Sequence, residues 1–324
     1  MEYINLAGTG LNVSRVCLGT MTFSGQLNEQ DSIKVIKHAL DNGINFIDTA
    51  DIYNGGQSEI ITGKGIKGCR ENVILASKVG GPSGSGPNDK GLSRKHIISS
   101  VENSLKRLNT DYLDIYYMHA PDPLTPFEET MEAMTSLVKS GKVRYIGISN
   151  FAAWQLMDTL WTCDKRNLIT PSVTENVYNS ITRGIESELV PCIKQNKVGL
   201  VIYNPIAGGL LSGKHSKDHP VENSRFSDLG GYYQRYWNDD SFKAMGKLTQ
   251  IAQSHGMKLL ELALRWCISY SYVNSVIIGV SRLEHLKQNL AYLGKGPLSN
   301  EILSQCDEVW KELHGSRFSY HHNL

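Results

Sequence analysis

The sequence predicts an α/β protein, a closed (β/α)₈ TIM barrel with a long loop after strand 7 and an extra C-terminal helix. Short apolar, β-branched runs alternate with helix-period stretches eight times along 324 residues, and such alternation calls for parallel strands joined by helical crossovers. Eight such units over this length suit a closed barrel. The rival, an open doubly wound sheet, needs a glycine fingerprint after its first strand, and LGTMTFSG (18–25) contains no GxGxxG.

VSRVCLGT (13–20) reads as the first strand, and Glu29 to Asn42 then sets Ile33, Ile36 and Leu40 on one helical face. NFIDTA (45–50) is the second strand, followed by a short helix from Ser58 to Lys67 that a serine cap would open. VILASKV (73–79) is the third. After the polar loop GGPSGSGPNDKG, Ser93 caps a helix whose stripe is Ile97, Val101, Leu105 and Leu108. LDIYYMH (113–119), VRYIGIS (143–149), SVTENVY (172–178), GLVIYNP (199–205) and VNSVIIGV (273–280) complete the strands. Helices are expected at 127–140, 152–166, 186–196 and 241–269, the last broken near Gly256, and from Arg282 to Tyr292. A long insertion at 206–239 and a helix near 300–314 are additions to the barrel plan. No linker or shift of composition divides the chain, so residues 1–324 are expected to form a single domain.

Apolar residues make up 40% and charged residues 20%, with a formal net charge of +1. That balance suits a globular protein and gives no overall field to attract nucleic acid or an anionic membrane. An anionic ligand would have to be caught by a local pocket. The cysteines at 17, 69, 163, 192, 267 and 306 form no CxxC pair and no metal-type spacing, which suits reduced thiols. MEYINLAGTG lacks the features of a secretory signal, and no apolar run approaches a membrane span, so a cytoplasmic protein is expected.

In such a barrel the reactive side chains stand where strands end and the following loops begin. Asp48 ends the second strand, Tyr53 follows in its loop, Lys78 ends the third strand and His119 the fourth. Singly, each has an ordinary reading as a turn cap, a surface ring, a solvated strand end or a packing residue. Jointly, complementary charges from neighbouring strands on one rim point to proton transfer. A free tyrosine is a poor acid near neutrality. A Lys78 ammonium would stabilise its phenolate and lower that pKa, Asp48 would hold the ammonium, and His119 would orient a carbonyl oxygen or assist the proton transfer. With no nucleophile–base pair and no metal-ligand cluster in the sequence, hydride chemistry is favoured over hydrolysis.

FIDTADIYNGGQSE (46–59), ASKVG (76–80), MHAPD (118–122), GKVRYIGISNF (141–151) and VIIGVSRLEHLKQNL (276–290) resemble, in order and over essentially the whole chain, the motifs of the aldo-keto reductase superfamily. NVYNSITRGIESELVPC and YNPIAGGLLSGK resemble its aflatoxin-aldehyde reductase branch. The resemblance implies an NADP-dependent oxidoreductase that reduces aldehydes or ketones, with Asp48, Tyr53, Lys78 and His119 as catalytic tetrad and Tyr53 as general acid.

The same resemblance implies the NADPH/NADP site. Ser149 and Asn150 match the pair that holds the nicotinamide amide, and Tyr203 matches the ring that stacks on it. Gly279 to Asn289 matches the grip on the adenosine 2′-phosphate and adenine, through Gly279, Ser281, Arg282, His285, Gln288 and Asn289. Physically, a helix start with an arginine fork suits a phosphate. Gly19, Thr20, Asp48 and Asn204 complete the cofactor contacts, while Lys214 and Arg225 would lie near the diphosphate or a carboxylated substrate. One departure stands out: the family's usual glutamine on the sixth strand is Glu175 here. A carboxylate can accept from the amide but cannot donate, and an ionised Glu175 would favour the oxidised cofactor. The expected partner is a small carbonyl compound, and the chain is compatible with a monomer or a homodimer. Two other functions stay open: a reductase of nucleotide-linked keto sugars, and an NADPH-binding regulatory subunit with little turnover.

Overall fold

The computed structural model describes residues 1–222, 224–228 and 230–315. Two short strands, β1 (Tyr3–Asn5) and β2 (Asn12–Ser14), form an antiparallel hairpin that the hydrophobic pattern had not separated from the first barrel strand. The run expected over 13–20 divides at Arg15. Val13 and Ser14 pair with the N-terminal segment, while Arg15 turns the chain by donating its N–H to the carbonyl of Glu2 at 3.0 Å.

The barrel strands are β3 (Val16–Gly19), β4 (Phe46–Asp48), β5 (Ile74–Val79), β6 (Leu113–Met118), β7 (Val143–Ser149), β8 (Val173–Val177), β9 (Gly199–Tyr203) and β10 (Ser275–Gly279). They close in the order β10-β3-β4-β5-β6-β7-β8-β9, the (β/α)₈ barrel that the alternation predicts. Parallel pairing of Gly279 with Gly19 and of Val276 with Ile202 ties the last strand to the first and the seventh.

The intervening helices are α1 (Glu29–Asp41), α2 (Gln57–Gly65), α3 (Arg94–Leu108), α4 (Phe127–Lys139), α5 (Ala153–Arg166) and α6 (Leu189–Asn196). They are followed by α7 (Arg225–Asp228), α8 (Gly230–Tyr236), α9 (Asp239–Ser254), α10 (Leu259–Cys267), α11 (Leu283–Leu293) and α12 (Asn300–His314). Ser93 caps α3 as expected, accepting from the His96 N–H. Ser58 does not cap α2. Gly56, in the left-handed region at φ 85°, opens that helix, and the buried Ser58 hydroxyl bonds the Thr20 carbonyl and hydroxyl instead. Left-handed Gly256 breaks the helical stretch between α9 and α10, where its glycine predicts a break.

The chain separates into two compact units. The first, Met1–Asn176, Ile185–Tyr203 and Ser271–Gln288, contains the hairpin and the barrel. Its interior alternates inward-facing residues: Cys17, Phe46, Ala76, Ile115, Tyr117, Val173, Val201 and Ile277 form one cluster, and Leu6 and Val13 of the hairpin join it. A Cβ on Gly199, the first residue of β9, would come within 2.7 Å of Leu6, so the hairpin packs where strands begin. That leaves the opposite rim, where strands end, for chemistry.

The second unit comprises Val177–Gly184, Asn204–Tyr270 and the described chain from Asn289. Within it α9 packs beside α12, and Arg183 pairs with Asp307 at 2.6 Å. The insertion expected at 206–239 contains a 3₁₀ turn (Ala207–Ser212), α7 and α8; its Asn223 and Leu229 lie outside the described residues. His215, Phe226, Trp237 and Phe242 pack edge to face there. Among the described residues no helix is long and apolar enough to cross a membrane.

Candidate active site

Three adjacent strands bring the predicted quartet together. Asp48 is the last residue of β4, Lys78 the penultimate residue of β5, and His119 follows directly after β6, its N–H bonded to the Val79 carbonyl at 2.8 Å. Tyr53 begins the 3₁₀ turn Tyr53–Gly56 after β4. The fully buried Lys78 ammonium is the hub. It donates to Asp48 Oδ1 and, at 3.1 Å, to the Thr49 carbonyl, and it lies 3.5 Å from Tyr53 Oη. The Tyr53 and His119 rings meet edge to face with centroids 6.0 Å apart.

Glu175 on β8 joins this hub. Its Oε2 lies 3.4 Å from Lys78 Nζ, and its carboxyl group is within hydrogen-bond reach of Asp48. Among the described residues, neither Glu175 Oε2 nor Asp48 Oδ2 has a hydrogen-bond donor, although both side chains are buried. Burial works against the Lys78 charge, but Asp48, Glu175 and Tyr53 outweigh it and hold its pKa well above the ordinary lysine value. Burial pushes the Asp48 carboxyl up, opposed by Lys78, and pushes Glu175 up to about 8, aided by the Asp48 charge.

The sequence suggested that Lys78 would lower the Tyr53 pKa. Lys78 does pull in that direction, but burial outweighs it and the phenol ends above its ordinary value. Tyr53 is therefore fully protonated near neutrality. His119 is pushed down to about 3, by burial first and by the Lys78 charge second. It stands neutral at physiological pH, a hydrogen-bonding group rather than an acid.

On the neighbouring rim, left-handed Asn150 (φ 62°) links several expected positions. Its Nδ2 donates to the His119 carbonyl at 3.0 Å and to Ser149 Oγ at 3.1 Å, and Tyr203 Oη donates to its Oδ1 at 2.8 Å. Its own N–H bonds the Glu175 carbonyl at 3.0 Å. Gly19 ends β3, where a Cβ would come within 2.6 Å of Ile277, and the Thr20 hydroxyl is held inside by the Asp48 carbonyl and Ser58. Gly279 ends β10 exposed, Ser281 Oγ lies 3.3 Å from His285 Nδ1 just ahead of and within α11, and Arg282 and Gln288 are exposed. Asn204, Lys214, Arg225 and Asn289 belong to the second unit. There Asn204 spends its amide on Tyr236 Oη at 2.8 Å and on the Gly208 N–H, Arg225 reaches Tyr232 Oη at 3.5 Å, Lys214 is exposed and Asn289 is buried.

Tyr117 was missed. It lies inside the barrel, 5.8 Å from Lys78 Nζ by ring centroid, with a buried hydroxyl that has no hydrogen-bond partner among the described residues. Strand alternation carries the signal, since positions 115 and 117 share one face of β6 and 119, directly after it, continues the same period. A second buried cluster stands apart from the hub: Glu59 accepts from Ser77 at 2.5 Å and Arg107 at 2.6 Å, and burial followed by the Glu59 charge pushes Asp51 to about 7.

The residues fit a nicotinamide cofactor. An orphaned buried carboxylate oxygen is available to accept from an amide, Ser149 and Asn150 stand next to it, and Arg282 with the start of α11 suits a phosphate. The profile of the Aldo/keto reductase family matches residues 15–311. An aldo-keto reductase of Bacillus subtilis, YhdN, is 39% identical over 275 residues, 83% of this chain and 81% of that protein. A probable voltage-gated potassium channel subunit beta of Arabidopsis thaliana is 36% identical over 319 residues, 95% of this chain and 96% of its own. The human aflatoxin B1 aldehyde reductase member 2 is 34% identical over 311 residues, 90% and 85% of the respective chains. With a polar hub on the rim of a closed barrel and a match over nearly its whole length, the chain belongs to the aldo/keto reductase family, oxidoreductases that reduce carbonyl groups.

Proposed function

We propose that the protein is an NADPH-dependent reductase of aldehydes or ketones in which Tyr53 is the general acid. The observation that carries this reading is the Tyr53 phenol oxygen 3.5 Å from the buried Lys78 Nζ, which Asp48 holds in place. Bound NADPH supplies the hydride. Tyr53 delivers a proton to the carbonyl oxygen, and Lys78 stabilises the phenolate that remains. Asp48 and the Thr49 carbonyl fix the ammonium so that its charge faces the phenol. Neutral His119 holds the carbonyl oxygen with a ring N–H, which orients the substrate without competing for the acid role. Ser149, Asn150 and Tyr203 would hold the nicotinamide end, and Ser281 and Arg282 the 2′-phosphate. The test is NADPH oxidation across aldehydes, dicarbonyls, semialdehydes and quinones, comparing wild type with Tyr53→Phe. Turnover that collapses in the variant while NADPH still binds supports the reading; equal turnover in both overturns it.

A second reading draws on the relatives named as potassium channel β subunits, which match the chain over 95% of its length. On that reading the same cofactor site serves a partner protein and turnover is slow. Tight NADPH binding with no turnover on any carbonyl compound would favour it.

A further inference from the structure

Most of the hub follows from the proton transfer it performs, but the second carboxylate does not. Holding Lys78 in place takes one counter-charge, and Asp48 supplies it through a direct hydrogen bond. Glu175 adds another carboxyl group at 3.4 Å, in a site where both carboxyl side chains are at most 5% exposed and the ammonium is fully buried. With both carboxylates ionised the cluster would carry a net charge of −1 out of reach of water, which is strongly unfavourable. A single proton shared by the two acids removes that charge and also serves Asp48 Oδ2 and Glu175 Oε2, which lack a donor among the described residues.

We propose that Asp48 and Glu175 hold one proton between them against Lys78 and release it when an oxidised, positively charged nicotinamide ring binds, so that Glu175 makes the preference between oxidised and reduced cofactor depend on pH. This rests on the NADP(H) reading above. The distances place the ring close enough. Tyr53 Oη is 3.5 Å from Lys78 Nζ, which is 3.4 Å from Glu175. A hydride donor must come within about 3–3.5 Å of the carbonyl carbon whose oxygen Tyr53 protonates. For a ring within roughly 8 Å of the carboxyl pair, at an effective dielectric of about 20, its unit charge would change proton affinity by about thirty-fold.

The other groups facing the pair do not titrate in the same range. From β3, the Cys17 thiol is pushed well up by burial; from β6, Tyr117 is pushed up likewise. Tyr53, after β4, is also raised by burial, Lys78 on β5 stays charged, and His119 stays neutral down to about 3. Ser149, beside Glu175 on β7, does not ionise. Asp51, pushed to about 7, belongs to the Glu59 cluster and is left in place by Glu175→Gln, so the titration that this variant removes near neutral pH is that of the carboxyl pair, with Glu175 at about 8 in the free protein. The reduced ring is neutral and leaves the proton in place. The oxidised ring lowers the pair's proton affinity, so its binding expels the proton over the range below about pH 8. Glu175 is a specificity-determining residue, not a catalytic one.

The experiment measures dissociation constants of NADP⁺ and NADPH for the intact protein between about pH 6 and pH 9, using protein fluorescence, for wild type and Glu175→Gln. The 2′-phosphate titrates in both cofactor forms and cancels in their ratio. In the wild type the NADP⁺:NADPH affinity ratio should rise by about thirty-fold across this range, while in the isosteric variant it should stay flat. Calorimetry of the wild type in buffers of different ionisation enthalpy gives a second readout that needs no variant. NADP⁺ binding near pH 7 should release more than about half a proton, and NADPH binding almost none. Binding of both forms with a pH-independent ratio, or the same slope in E175Q, would overturn the proposal and leave the reductase reading intact. Failure of either form to bind at any pH would overturn the cofactor reading itself, and this proposal with it.

Discussion

Replacing Lys78 with methionine deletes the positive charge that faces Tyr53, Asp48 and Glu175. The ammonium lies 3.5 Å from the phenol oxygen. At an effective dielectric of about 20, a unit charge at that distance stabilises the developing phenolate by roughly 5 kcal/mol. Asp48 and Glu175 offset part of this, and water entering the cavity screens more. The expected loss in the hydride-transfer step is therefore about 10²–10³-fold. Single-turnover oxidation of bound NADPH by an aldehyde measures it without interference from product release. The variant also strands two buried carboxyl groups. Their folded-state pKa values already lie above the unfolded ones, so their contribution to stability is greatest at low pH and is lost as pH rises. K78M should accordingly be folded at about pH 6 and lose about 3–5 kcal/mol relative to wild type by pH 8. A folded, NADPH-binding K78M that transfers hydride within tenfold of wild type would refute the electrostatic role of Lys78.

Other predictions test the remaining parts. Arg282→Ala should weaken NADPH binding by about 10–100-fold and leave NADH unchanged, since a charged hydrogen bond to the 2′-phosphate is worth about 1.5–3 kcal/mol; equal losses for both cofactors, measured by fluorescence titration, would place Arg282 elsewhere. Gly63→Ala should destabilise the fold by about 1–3 kcal/mol in urea unfolding, because its Cβ would lie 2.3 Å from the Leu108 carbonyl of α3. An unchanged midpoint would contradict the close approach of α2 to α3. His119→Asn should reduce turnover by about 10²-fold without introducing a new acidic limb in the pH profile, because His119 is already neutral down to about pH 3. A wild-type rate that fell below about pH 6.5 with the ordinary histidine pKa would refute that assignment.

The barrel was legible because each strand is a short β-branched run followed by a helical stripe, a pattern that a parallel, helix-covered sheet imposes. β1 was not, since three residues carry too little periodicity to mark a strand, and the break at Arg15 depends on pairing with a segment distant in register. Ser58 misled for a related reason: a serine before a helical stretch looks like a cap, yet Thr20, 38 residues away, claims its hydroxyl. In the site, strand ends identified Asp48, Lys78 and His119, and strand alternation could have added Tyr117. Glu175 stood out as a departure, but its 3.4 Å approach to Lys78 depends on barrel closure. The balance of burial against charge that raises the Tyr53 pKa also lies beyond sequence, because desolvation depends on the packed surroundings.

The central claim is tested most directly by single-turnover hydride transfer in Tyr53→Phe with NADPH saturating. The account predicts unchanged NADPH affinity and a loss of about 10²–10⁴-fold in the transfer rate. A variant that binds NADPH normally and reduces the same aldehyde at the wild-type rate would contradict it.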